Sequence, residues 1–427
     1  IHIPAGFMKT VGNPAVNWMY ESETSEGTAG RRIAQPRGKT LGGSGSINGH
    51  IYNRGQRQDF DTWAQLGNRG WSYAEVLPYF KRSERRIGPG DNEYRGRDGP
   101  FVVTDLDWHH PLNQAFIEGA VSLGISRNAD YNGETQEGVG YAQRSIHRGR
   151  RVSPARAFLH PLMRQPGLSV RTGAHVDRIL FDGRKACGVS YLRGAKRLEV
   201  RAAREVVVCA GAFNSPQILH RSGVGPPELL ADLGVSVVHA LPGVGENLRD
   251  HCWVPLIARV KDVITLNELS RGWRLVHEVL RYGLARKGLL SLPPTHVYAS
   301  WHSDEAVRNC DILLTFTPGS YGKGFEAGLD IVPGVTGGVF VHRTESRGYV
   351  RARSTDPFEP PIIQPNYFSD EIDQRATLAG LRLMRRILAT PAFARRARTS
   401  RSTVWARLAA HARPPARMHV YVRYTSD

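Results

Sequence analysis

The chain has few of the residues that would mark a disulfide scaffold or a metal protein. Its four cysteines, Cys187, Cys209, Cys252 and Cys310, stand far apart with no C-x-x-C pair, which argues against a zinc site or a disulfide framework and for a reducing compartment. Long apolar runs are missing too: none approaches the ~18–20 residues that span a bilayer, and no signal peptide is visible. Internal repeats and low-complexity segments are also lacking. A cytoplasmic protein is expected, with membrane association of the intact protein left open but not indicated. What remains is ordinary in composition. With 427 residues, 41% hydrophobic and 22% charged, the chain is long enough for two or three packed domains.

Lysine is scarce, at 8 of the 57 basic residues. A net charge of +18 invites a nucleic-acid reading, but phosphate binding needs clustered cations. Here the arginines are scattered, except in the tail from Ala394, which carries eight Arg against the single acid Asp427. A nucleic-acid partner is therefore not expected.

The texture changes along the chain. The first hundred residues, rich in Gly, Asn, Trp and Arg, read as loops and short helices wrapped over something. The clear exception is a helix over Tyr73–Arg86, capped by Ser72, with Val76, Leu77 and Phe80 at helical spacing. A β texture begins at Leu168: strands are expected over 168–172, Val176–Phe181 and Ala186–Leu192, with a turn at Asp182-Gly183. The unalternated run Glu205–Ala210 reads as a strand covered on both faces. Ser215-Pro216 then reads as the start of a helix through His220. Beyond His251 come strands at Asp311–Thr317, Gly338–His342 and Gly348–Ala352, then a helix over Asp370–Ala389. After Phe393 the periodicity decays.

The most informative segment is Arg37-Gly-Lys-Thr-Leu-Gly-Gly-Ser-Gly-Ser-Ile-Asn48, continuing through Tyr52 and Gly55 to Asp61. Its small residues allow close backbone approach to a ligand, and its N–H groups can form an anion-binding concavity. A P-loop is excluded because Ile33 stands where the earlier glycine is needed. A serine-hydrolase elbow is excluded because Ser46 replaces the final glycine. A second pattern, Gly211-Ala212, Ser215-Pro216, Ile218-Leu219 and Ser222-Gly-Val-Gly225, follows more than 150 residues later. Leu241-Pro-Gly-Val-Gly-Glu-Asn-Leu-Arg-Asp-His251 comes after it.

Two such patterns in this order resemble the signatures of the glucose-methanol-choline (GMC) oxidoreductases, closest to the bacterial choline-dehydrogenase-like branch, over residues 1–393. The resemblance implies an α/β fold: an FAD-binding doubly wound, Rossmann-like sheet, incomplete here, with a second α+β substrate-binding domain. It implies an FAD-binding domain over 1–252, a substrate-binding domain over 253–393 and an atypical Arg-rich tail over 394–427. It also implies oxidation of the CH–OH group of an alcohol, choline-like or another primary alcohol, by hydride transfer to flavin N5. The electron acceptor is unknown. Expected along the cofactor are Gly42, Gly43, Asn48, Gly49, His50 and Ile51, with Val176 at the adenine end through its backbone. Some members bind flavin covalently through a histidine just before the signature asparagine; Ile47 occupies that position, so the FAD is expected to be non-covalent.

Two departures from the family pattern matter. Nothing before Arg37 contains the G-x-G-x-x-G turn, and no His-Pro pair with a downstream partner closes the chain. A fragment lacking both ends is expected, inactive and weak in FAD retention. No residue is assigned a catalytic role and none a metal. The Arg-rich tail reads as a frameshifted stretch that packs poorly, and the alternative for the whole chain is a non-catalytic remnant or interaction protein of the same fold. His109-His110 reads as loop surface, His251 as a structural hydrogen-bonding residue, and Trp63 and Trp71 as core or cofactor cover.

Overall fold

The computed structural model describes residues 1–321 and 328–395; the expectations placed on the tail lie outside these residues. The opening hundred residues do wrap in loops and short helices. The helix Tyr73–Ser83 starts at a reciprocal cap in which the Ser72 backbone N–H bonds the Glu75 carboxylate at 3.0 Å. It carries Pro78 inside and ends in the strand Glu84–Ile87, which pairs in parallel with Phe101–Thr104.

That junction buries a carboxylate. Glu84 has no exposure and binds Arg54 at 2.5 Å, Arg95 through both oxygens, and the Gly96 N–H at 3.0 Å. Arg95 reaches on to Asp130 and, at 3.0 Å, to Gln143. Burying these charges costs solvation, so the pairing and the extra hydrogen bonds must offset it together. The network ties the segments around residues 54, 84, 95, 130 and 143 into one unit.

The main body is a five-stranded antiparallel sheet. Its order is Val254–Arg259, Gly334–Val341, Ile312–Thr317, Val297–Trp301 and Gly138–Tyr141. Two helices cover one face, Pro111–Ser122 and Glu371–Ala389. Phe116 stacks on Phe316 with ring centroids 4.5 Å apart. Glycine lets the second helix approach the sheet closely: a Cβ on Gly380 would lie 2.5 Å from Val339 Cγ1, and one on Gly337 2.5 Å from Met384 Sδ. The strand Gly138–Tyr141 and the helix Pro111–Ser122 come from the first of the two expected domains, so both stretches build this core.

Several expected elements form with small shifts: the helix Glu371–Ala389 capped by Asp370, and strands Ile312–Thr317, Gly334–Val341 and Gly348–Arg351. The strands His175–Asp182 and Lys185–Arg193 pair across a turn in which Gly183 is left-handed, and Lys196–Arg201 adds a third.

Three local expectations are corrected. Residues 168–172 form no strand, and Leu168 is exposed. Glu205–Ala210 forms no strand, and Val207 is 71% exposed, where a strand covered on both faces was expected. Apolar content favours burial, but a strand also needs a neighbour to accept its ladder bonds, and no described strand lies alongside either run. The following helix begins at Gly211, not Ser215, because left-handed Gly211 (φ 85°) turns the chain into it. Pro216 is then interior, and the helix forgoes the one bond that proline cannot donate. Parallel pairing among the described residues joins Glu84–Ile87 to Phe101–Thr104 and Val224-Gly225 to His239-Ala240, with one isolated parallel bridge between Arg127 and Val139.

Glu84→Gln would leave two buried guanidinium groups facing a neutral amide, so a loss of roughly 3–5 kcal/mol is expected. Glu23 also pairs with two arginines, Arg32 and Arg353, but those partners are about half exposed; Glu23→Gln should cost under about 1 kcal/mol. Urea unfolding of both variants checks the contrast, and equal midpoint shifts would contradict it.

Candidate functional site

The glycine-rich segment is built around positions that only glycine fills. Gly42 and Gly43 are left-handed, at φ 84° and 55°, and start a short 3₁₀ turn through Ser46. A Cβ on Gly42 would lie 2.9 Å from the Ala155 nitrogen, and one on Gly45 2.5 Å from Pro154 Cδ. The loop therefore presses against residues 154–155. Gly43 faces the other way, with open space where its Cβ would be, and Gly211 of the second pattern is likewise left-handed and open.

Arg151 holds this loop from behind. It is 1% exposed and donates to Asn48 Oδ1 and Asn48 O, both at 2.7 Å, and to Gly45 O at 3.3 Å. All these acceptors are neutral, so burial pulls its guanidinium down to about 10. His50, fully buried and left-handed at φ 67°, bonds the Pro4 carbonyl through Nε2 at 3.1 Å, while its Nδ1 has no partner. Burial first, and then the charge of Arg151, lower its pKa to about 3.

A cavity of about 580 Å³ lies beside this loop. Gln35, Arg37, Ile51 and Asp250 line it from the first stretch of the chain, and Tyr298 and Phe340 from the five-stranded sheet. Tyr367 donates to Asp250 Oδ2 at 2.5 Å and receives a bond from the Gln35 amide at 2.7 Å. Burial, then the Asp250 charge, push the Tyr367 hydroxyl well above its usual range; burial pushes the Cys252 thiol up to about 12.

The two sequence patterns meet at the edge of this cavity. The Arg37 guanidinium sits 4.1 Å over the Phe213 ring, and Tyr20, edge-on to Phe213, bonds Asn214 at 2.8 Å. Val176 lies in the strand His175–Asp182 opposite Tyr191. Its neighbour His175 packs edge-on to Trp18, whose N–H bonds Arg37 O at 2.9 Å.

Of the residues expected at the site, Ile51 alone lines the cavity; Gly42, Gly43, Asn48, Gly49 and His50 do not. Asn48 is exposed, Gly49 packs against Pro294, and the unpaired run Glu205–Ala210 offers no strand beside the loop. Arg151 and Pro154 hold the Gly42–Asn48 loop beside this cavity. Arg37, Arg151 and Tyr367 were missed as site residues. Arg37 and Asp250 stood inside the quoted segments, whereas nothing in sequence marks Arg151 or Tyr367.

Other local expectations resolve as follows. His251 donates through Nε2 to the His342 carbonyl at 3.0 Å, the structural bond expected of it. His110 is buried and not loop surface: its Nδ1 accepts from Leu112 N to cap a helix, and its Nε2 bonds Ile264 O at 2.8 Å. Trp63 and Trp71 pack edge to face but remain about half exposed, so neither is core. Glu137, His302 and Cys310 bring their ligand atoms within 4.8 Å of one another, a grouping across three chain segments that no sequence spacing signals.

The pieces fit an anionic, partly planar cofactor. A buried cation without a carboxylate, an orphaned imidazole nitrogen and two open left-handed glycines leave unmatched polar groups and room at the backbone. With the mixed α/β fold they suit a protein that binds a nucleotide-type cofactor. The chain belongs to the GMC oxidoreductase family, whose models match residues 5–253 and 344–425, and so to the FAD-dependent, choline dehydrogenase-like oxidoreductases. The second match takes in most of the Arg-rich stretch.

The chain is 36% identical over 398 residues to mitochondrial choline dehydrogenase of Mus musculus, covering 92% of this chain and 66% of that one. It is 36% identical over 399 residues to oxygen-dependent choline dehydrogenase of Staphylococcus aureus (strain MSSA476), covering 92% and 69%. It thus spans about two thirds of these relatives' length. Among solved structures, pyridoxine 4-oxidase from Mesorbium loti superposes with TM-score 0.80 at 27% identity, covering 92% of this chain and 73% of that one. Formate oxidase superposes with TM-score 0.83 at 23% identity, covering 93% and 75%, which speaks to the fold alone. No described helix is long and apolar enough to cross a membrane.

A pH dependence follows from the buried imidazoles. His50, His296 and His342 all have pKa values lowered to about 3 by burial. Between pH ~6.5 and ~3 the unfolded chain binds these protons and the folded chain does not, so stability rises with pH there and is lost on acidification. Urea midpoints should fall steadily below pH ~6.5, and less steeply in His50→Gln. A His50→Gln profile parallel to the parent would exclude His50 as a contributor.

Proposed function

We propose that this chain binds FAD non-covalently along Gly42, Gly43, Asn48, Gly49, His50 and Ile51, with the Val176 backbone toward the adenine end, and acts on the CH–OH group of a small alcohol in the adjoining cavity. The observation that carries this reading is the contact of Arg37 with Phe213 at 4.1 Å, which joins the two signature segments at the cavity's edge. FAD supplies the hydride-accepting ring; this chain's part is binding, orientation and electrostatics. Arg151 keeps positive charge behind the glycine loop, and the loop's N–H groups can face phosphate. Buried Ile47 stands where a flavin-linking histidine would be, which supports non-covalent binding.

A cationic alcohol, which the choline dehydrogenases' names suggest for those relatives, would be placed at Asp250, away from Arg31 and Arg37 of the same cavity. Asp250 provides a carboxylate, and Trp253, Tyr298, Phe340 and Tyr367 provide aromatic faces around it, a combination suited to a quaternary ammonium group. The division into a flavin domain over 1–252 and a substrate domain over 253–393 is kept in this reading, with the cavity between them.

FAD titration of the purified chain, followed by flavin fluorescence quenching, tests the cofactor half. Saturable binding that is released intact on denaturation, and weakened at least tenfold by Gly43→Val, is expected; a chain that never takes up flavin would favour the non-catalytic reading. The substrate half is tested on the flavin-loaded chain by binding choline and its uncharged isostere 3,3-dimethylbutan-1-ol. Asp250→Asn should weaken choline about tenfold and leave the isostere within about twofold, a difference of about 1.4 kcal/mol. Equal losses for both would remove Asp250 from cation recognition.

A further inference from the structure

The helix Gly272–Ala285 is turned inside out. Trp273, Val276, Leu280 and Leu284 recur at helical spacing and form one stripe, yet that stripe faces solvent: Leu284 is 89% exposed, Trp273 75% and Leu280 59%. The opposite face is the buried one, and it carries a charge. Glu278 and Tyr282 point inward, where Glu278 accepts from Leu289 N at 2.6 Å and Tyr282 donates to Gly149 O at 2.9 Å. A helix that buries its acid and exposes its large apolar residues contradicts the ordinary pattern of a surface helix. Single exposed apolar residues need no explanation, but a continuous stripe of this size marks a surface that meets another apolar phase.

The charges around the stripe say which phase. Arg274 and Arg281 flank it along one side, Arg271 precedes the helix and Lys287 follows it, while Arg286 lies over the Tyr282 ring on the other face. The neighbouring acids are Glu278, turned inward beneath Arg281 at 3.5 Å, Glu268, 3.7 Å from Arg274, and Asp330, whose carboxylate accepts from the Ile331 N–H at 2.7 Å. Arg274 also lies 5.8 Å from the Trp273 ring centre. The start of the helix is tied by Arg271 to the Leu329 carbonyl at 2.9 Å, in the segment that carries Ile331, itself 74% exposed. A second copy of this chain would bring the same basic rim, and a net charge of +18, against itself. An anionic lipid surface offers acyl chains to the stripe and negative headgroups to the rim.

We propose that the helix Gly272–Ala285 lies in the headgroup region of an anionic bilayer, with Trp273, Val276, Leu280 and Leu284 inserted and Arg274 and Arg281 on phosphates. Apolar insertion and electrostatic attraction add for such a helix near an anionic surface. The docking needs no spanning segment and is independent of whether flavin is bound.

The test is flotation of the full chain with phosphatidylcholine vesicles containing 30 mol% phosphatidylglycerol and, separately, with pure phosphatidylcholine. Binding to the anionic vesicles, at least tenfold weaker to the neutral ones, is expected. Leu280→Glu/Leu284→Glu, both at exposed sites and therefore foldable by circular dichroism, should lower the anionic-vesicle partition at least tenfold, while Arg274→Gln/Arg281→Gln should lower it several-fold. Three results would overturn the proposal: no flotation of the parent chain; equal flotation of parent and Leu280→Glu/Leu284→Glu, which would assign binding to other basic regions; or a monomer produced by that variant from a parent oligomer without change in flotation, which would make the stripe a contact between copies.

Discussion

The buried carboxylate of Glu84 is the constraint on which the loop-rich first part of this protein depends. Few regular elements occur there, so backbone ladders alone cannot hold the segments in place. One acid with two guanidinium groups and a backbone N–H does so instead, joining a helix end and its strand to the loops at Arg54 and at Arg95-Gly96. Charge pairs of this kind add little net stability compared with a well-packed apolar substitute, but they are directional. The gain is a defined position for Arg54 and for the strand Glu84–Ile87.

Electrostatics continues as the theme toward the candidate site. Arg151 is buried against neutral acceptors, and His50 stays uncharged beside it. This part of the interior therefore carries positive potential without an internal counter-charge. A cofactor with two phosphates would supply that counter-charge, which gives membership of an FAD-dependent family a local physical counterpart. The glycines contribute by what they omit: Gly42 and Gly45 allow the loop to press against Ala155 and Pro154, and Gly43 leaves its outward side open.

The five-stranded sheet supplies the opposite wall. Its strands are held by dense packing of two helices on one face, with Gly337 and Gly380 giving the helix over 371–389 its close seat. The other face sends Tyr298 and Phe340 to the cavity. A rigid sheet facing a loop-built wall combines a fixed aromatic surface with one that side-chain hydrogen bonds, such as Tyr367 to Asp250, hold in place.

What the sequence determined by itself is local and compositional. Ser72 and Glu75 announce a helix start because their side chains bond the backbone within one turn, and the strands from His175 to Arg193 follow from alternation around a glycine turn. The two signature segments identify the family because glycine spacing is dictated by backbone geometry, which local sequence encodes. The tertiary structure decided everything that needs a distant partner. Glu205–Ala210 has the composition of a buried strand and is unpaired, since a ladder requires a neighbour. His110 beside His109 looked like surface until Ile264, far away in sequence, came to bond it. Arg151 and Tyr367 joined the site only when the chain brought Asn48 and Asp250 to them. The stripe from Trp273 to Leu284 has the periodicity of a core helix, yet it faces outward, because periodicity tells which residues share a face and only packing tells what that face meets.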